Sequence, residues 1–191
     1  MQNDKIHNEL ITKIAKKLRG VLESTVNKGI KEYYQFSIGP SDLENNYLFE
    51  DIRKKPSVHY DLMEQLKKLE GPVLYWFEIT SGTDCAAIRN AITQHKAVSN
   101  RVVPYLMKHF KEDSTCLYVG KVKGNFYGRI IQHMGFNSGH KMQGLQLFHW
   151  AKPLGLEVKV HCYQLYPEMI DMINMMELEL AYEKNPIVGK H

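Results

Sequence analysis

The stretch that most constrains this chain runs from Cys116 to His133. Cys116-Leu117-Tyr118-Val119-Gly120-Lys121 is β-prone and closes on a glycine and a lysine. Gly124-Asn125 then mark a turn, and Phe126-Tyr127-Gly128-Arg129-Ile130-Ile131-Gln132-His133 has the spacing of a helix. A strand that turns tightly into a helix sets Arg129 and His133 four residues apart on one face, beside the turn. Such a face is either a solvated helix surface or a place to hold an anion, and the spacing alone leaves both open.

Upstream, Val73-Leu74-Tyr75-Trp76-Phe77-Glu78-Ile79 is a second strong β run, set between Gly71-Pro72 and Thr80-Ser81-Gly82-Thr83. Downstream, Leu156 to Leu165 alternates Val158, Val160, Cys162 and Gln164 against Lys159, His161 and Tyr163, which predicts a third strand. A short helix is predicted around Leu145 to Trp150, after a flexible polar loop at Gly135 to His140. A last helix is predicted from Glu168 to Lys184, ended by Asn185-Pro186. Between the first two strands, residues 84–113 read as two helices, Ala86 to His95 and Arg101 to Phe110, either a solvated pair or an arm for DNA or for a second copy.

The first seventy residues read as helical. Ile6, Leu10, Ile14, Leu18, Val21, Leu22 and Val26 form the stripe of an amphipathic helix closed by Gly29, with Lys13, Lys16, Lys17 and Arg19 on other faces. That helix either packs on the domain or on a second copy, or grips phosphates. Gly39-Pro40-Ser41-Asp42 is a turn leading toward Phe49, and Ser57 caps a helix bearing Tyr60, Leu62, Met63, Leu66 and Leu69. The fold class expected is α+β: a central, mostly antiparallel sheet flanked by helices in residues 71–191, preceded by a helical region in residues 1–70.

At 191 residues the chain can bury a full core. Three cysteines, Cys85, Cys116 and Cys162, are odd in number and far apart, so reduced, packed thiols are expected rather than a disulfide framework or a zinc site. No apolar run reaches bilayer length, and Met1-Gln2-Asn3-Asp4-Lys5 lacks the apolar core of a signal peptide, so a cytoplasmic protein is expected. A net charge of +4 permits a polyanionic partner without demanding one.

Tyr75, Tyr118, Arg129, His133 and Glu177, in that order and in those settings, resemble the GIY-YIG nuclease superfamily. Val73-Leu74-Tyr75 stands where its first motif falls and Tyr118-Val119-Gly120 where its second falls. Arg129 and His133 match its helix pair, and Glu177, nine residues before Pro186, matches its acidic residue. Val73 replaces the glycine of the first motif, and 42 residues separate the two tyrosines, so residues 84–113 stand as an insertion. After Pro186 the family often has Asn, where this chain has Ile187-Val188-Gly189-Lys190.

The resemblance implies a metal-dependent DNA endonuclease, restriction-type or mobile-element-associated, hydrolysing phosphodiester bonds with Mg²⁺ or Mn²⁺ held at Glu177. It implies Tyr75 as general base and Tyr118 as the group that orients water or phosphate. Arg129 presents a planar fork to phosphate oxygens, and His133 hydrogen-bonds a phosphate or a tyrosine. A phenol with a pKa of about 10 acts as a base only if nearby cations depress it, and Lys121 is the candidate for that task. Gly120, Lys123 and Asn185 are candidate substrate contacts. The partners implied are DNA and a second copy of the chain. The competing reading is a DNA-binding module on the same fold without useful turnover. His140, His149 and His161 read as loop or core histidines, because no ligand-spaced partner accompanies them.

Overall fold

A computed structural model describes residues 2–44, 50–99, 102, 104–136 and 144–189, with side chains from residue 7 onward. Phe49, Asn100, Arg101, most of the Gly135 to His140 loop including His140 itself, and Lys190 lie outside the described residues. Four strands form one antiparallel sheet: β1 (Glu32–Ile38), β2 (Val73–Ile79), β3 (Cys116–Val122) and β4 (Val158–Gln164), in the order β1-β4-β2-β3. Five α-helices flank it: α1 (Gln2–Lys28), α2 (Tyr60–Leu66), α3 (Cys85–Val98), α4 (Phe126–Met134) and α5 (Ile173–Lys184). The expected α+β class with a mostly antiparallel central sheet is what the chain adopts.

Strand β2 is internal and covered on both faces, which is why its sequence is an almost unbroken apolar run. Tyr75 and Phe77 point into the main core with Val160 and Cys162, while Leu74 and Trp76 face α5. Strand β4 alternates buried and half-buried residues, as its sequence pattern predicts, because α5 covers mainly β3 and β2. The three thiols are unpaired and buried, and burial pushes the Cys116 thiol up to about 12.

Three expectations need correction. Residues 32–38 are not helical: Tyr34, Phe36 and Ile38 fall at every second position, and β1 pairs with β4 along its whole length. Ile38, Leu43, Ile52, Met63 and Leu66 share the core with β2 and β4, so residues 32–69 are not a separate helical region.

The second helix predicted in the 84–113 segment is not seen among the described residues, 102 and 104–110 being non-helical. One helix, α3, starts where Asp84 accepts a hydrogen bond from the Ala87 amide at 2.6 Å and runs to Val98. Beyond it, Pro104 cannot donate to a helix, and the chain instead extends beside the C-terminal tail. Met107 N–H donates to Ile187 at 3.0 Å and Gly189 N–H to Tyr105 at 2.9 Å, while Ile187 and Val188 donate to Cys116 and Leu117. The tail thereby continues the sheet beyond β3.

The last helix begins later than predicted, because residues Pro167–Asp171 form a 3-10 turn before α5.

Candidate active site

The strand-turn-helix unit builds the site. Strand β3 ends at Val122, and Asn125, in the left-handed region at φ 55°, caps α4 by accepting the Gly128 amide at 3.0 Å. Phe126, Ile130 and Met134 anchor α4 in the core, and this fixes the direction of Arg129 and His133. Both reach the side chain of Tyr75 across the sheet face.

Tyr75 is fully buried, packed on Phe77, Phe126 and His133. Its hydroxyl lies 2.9 Å from His133 Nε2 and accepts from Arg129 Nε at 3.2 Å. The Leu145 amide donates to His133 Nδ1 at 3.2 Å. An amide can only donate, so Nδ1 carries the lone pair and Nε2 carries the proton that it gives to the Tyr75 oxygen. Two donors therefore converge on one phenol oxygen, leaving the phenol's own hydrogen for a third partner. Arg129 spreads further, donating to Tyr118 Oη at 3.1 Å and to Gln132 Oε1 at 2.9 Å.

Burial dominates the ionisation of this cluster. It holds the Tyr75 phenol well above its ordinary 10, with Tyr118 and Glu177 adding to the shift and the Arg129 guanidinium opposing it. Burial, helped by the positive charge of Arg129, holds His133 well below 6.5 and neutral. The cluster is thus a neutral phenol, a neutral imidazole and a fixed cation.

Gly120 explains how the two tyrosines fit. A Cβ there would lie 2.6 Å from Tyr75 Oη, 2.6 Å from Tyr118 Cε1 and 2.7 Å from Tyr75 Cζ. The rings cross over this residue, so the position cannot carry a side chain. Gly120 is expected from sequence to touch substrate; instead it is buried and makes room for Tyr75.

Lys121 and Glu177 occupy the opposite side of the sheet. Lys121 faces Leu74 in the ladder, on the side that α5 covers, and its ammonium lies 3.2 Å from Glu177 Oε2 and 2.6 Å from Asn174 Oδ1. The expectation that Lys121 depresses a tyrosine therefore needs correction: Arg129 is the cation on Tyr75. Side chains alternate along a strand, and 118 and 121 differ by an odd number, so Tyr118 and Lys121 point to opposite faces.

The remaining candidates divide. Lys123 is exposed in the turn after β3. Asn185 closes α5 in the left-handed region at φ 50°, with its amide on Tyr182 O at 3.0 Å and its own carbonyl accepting from Ser114 at 2.6 Å, so it serves the helix end. Sequence reasoning missed Gln132, Asn174 and the Leu145 amide. Gln132 sits at i+3 from Arg129 and Asn174 at i−3 from Glu177, spacings that announce a pair on a helix. The Leu145 amide carries no sequence signal.

Glu177 is the carboxylate of this site, and among the described residues no cluster of three or more His, Cys, Asp or Glu accompanies it. Its Oε1 takes no hydrogen bond from a described residue. One hard oxygen at a partly exposed rim fits Mg²⁺ or Mn²⁺, which keep several waters and take further oxygens from a phosphate. It does not fit zinc, which needs three or four protein ligands.

Comparison with known protein families, with curated proteins and with solved structures finds no match to this chain. Among the described residues no helix is long and apolar enough to cross a membrane.

Proposed function

We propose that the chain is a metal-dependent DNA endonuclease of the GIY-YIG type. The observation that carries the reading is the hydrogen-bonded group of Tyr75, His133, Arg129 and Tyr118, together with the Glu177 carboxylate of α5, which pairs with Lys121 of the strand that carries Tyr118. These five residues come from four separate elements.

A divalent cation on Glu177, when bound, supplies Lewis-acid polarisation of the scissile phosphate. The protein's own groups do the rest. Arg129 remains charged at any working pH and lends its guanidinium to the phosphoryl oxygens, exchanging its bond to Tyr118 for one to substrate. Tyr118, half-buried, meets the attacking water. Tyr118, as a phenolate, takes the water's proton, while Tyr75, buried out of water's reach, accepts from Arg129 Nε and His133 Nε2 and so holds the guanidinium in position.

The test is supercoiled plasmid in low salt with Mg²⁺, Mn²⁺ or EDTA, beside Glu177→Ala. Metal-dependent nicking that the variant lacks, with DNA affinity kept, is expected. The Lys121–Glu177 ion pair is what favours the alternative, a DNA-binding module in which Lys121 holds the carboxylate in place of a metal. Retained DNA binding with no cutting under either metal decides for that module.

A further inference from the structure

Two apolar stripes on this chain have no cover among the described residues. The first lies on α1, where Leu10, Ile11, Ile14, Leu18, Leu22 and Val26 are all exposed, Ile11 to 63% and Val26 to 83%. The helix is 27 residues long, about 40 Å at the usual rise. It is tied to the domain near its C-terminal end, where Lys28 pairs with Glu168 at 2.6 Å in the turn that enters α5. The second stripe is Met175, Leu178 and Tyr182, spaced three and four residues apart on the outward side of α5, with Tyr182 exposed to 79%.

The two stripes are opposite in charge. Lys13, Lys16, Lys17 and Arg19 crowd the middle of α1, and by helical spacing Lys17 and Arg19 flank its apolar stripe on either side. Glu179 and Glu183, both exposed, lie together along one edge of the stripe of α5 by helical spacing, and Asp171 precedes it. A basic apolar stripe and an acidic apolar stripe on one chain complement each other. Pairing α1 with α1 in antiparallel fashion sets the two basic middles against each other, and the acidic side of α5 repels nucleic acid. The chain's own α5 leaves the α1 stripe exposed.

We propose that α1 docks on α5 of a second copy, reciprocally, so that a twofold dimer covers both stripes of both chains. Twofold symmetry repeats the contact and brings it toward the roughly 1,200–2,000 Å² that stable interfaces bury. The apolar stripes supply the contact, and the charges select α5 over α1 as the partner surface. The inference stands apart from the nuclease reading, because nothing in it requires cutting.

The test is sedimentation of the full chain at increasing concentration. The wild-type chain gives the mass of a dimer. Ile14→Glu/Leu18→Glu and Leu178→Glu/Tyr182→Glu each give a monomer, with the exchange protection of β2 and β4 amides unchanged because both sites lie outside the core. Glu179→Lys/Glu183→Lys weakens dimerisation about tenfold or more, a change of at least about 1.4 kcal/mol. Adding Lys17→Glu/Arg19→Glu to that chain restores it. A monomeric wild type at every concentration overturns the proposal. So does a dimer lost on changing α1 but kept on changing α5, or an α1 variant that loses DNA retention while its mass stays the same.

Discussion

The two faces of the sheet at β2 and β3 solve different problems. On the α4 face, Tyr75 is sealed from water and held by Arg129 and His133, and the Leu145 amide holds His133 in turn. On the α5 face, Lys121 and Glu177 are held by an ion pair and a bond to Asn174 at a partly exposed rim. The first arrangement is part of the core, so removing a member strands buried donors. The second exchanges with water, so its members can be changed with little effect on folding. A buried network and a rim carboxylate are separable, and the difference teaches which substitutions report on stability and which on chemistry.

The sharpest way to break the contrast is Gly120→Ala. A Cβ 2.6 Å from Tyr75 Oη and from Tyr118 Cε1 forces both tyrosines to move, and a loss of roughly 3 kcal/mol is expected, the upper end for overpacking. Urea unfolding measures it, and a loss under about 1 kcal/mol means the rings shift freely.

Tyr75→Phe keeps the ring and removes the oxygen, leaving the His133 N–H and the Arg129 Nε–H without their acceptor. About 1–3 kcal/mol of stability is expected to go, and on the proposed nuclease reading cutting goes with it. Activity retained in this variant removes Tyr75 from the chemistry.

A third prediction concerns pH. His133 is held neutral, with its folded pKa below the unfolded 6.5, so its contribution to stability is full above about pH 6.5 and is lost as pH falls toward the folded value. His133→Gln therefore flattens the fall in thermal stability on the acid side of pH 6.5. An unchanged slope means that another group sets it.

The smallest expected effect on stability is that of Glu177→Gln, under about 1 kcal/mol, with metal-dependent cutting lost and DNA affinity kept. A large loss of stability there would erase the distinction between the two faces.

Much of this layout is legible in the residues. Gly29 at φ 67° ends α1 where its sequence places a cap, and α3, capped by Asp84, starts at Cys85, one residue before the predicted helix. The alternation of Val158, Val160 and Cys162 marks β4, and the β-branched and aromatic run from Val73 marks β2. Strand β1 escapes notice because a seven-residue alternation following a long helix gives a weak local signal, and its pairing with β4 spans more than a hundred residues. The helix expected after Asn100 fails for a reason already present in the sequence, Pro104, together with one that is not: the hydrogen bonds offered by the C-terminal tail.

By itself, the sequence determined the strand-turn-helix unit, the pairing of Arg129 with His133 on one helix face, the packed thiols and the amphipathic stripe of α1. Periodicity and turn chemistry are local, and a chain carries them without reference to its distant parts. Only the tertiary structure decided which cation meets Tyr75, which tautomer His133 adopts and why Gly120 has no side chain. Each depends on atoms brought together from strands and helices far apart in the chain, at distances that sequence spacing does not encode.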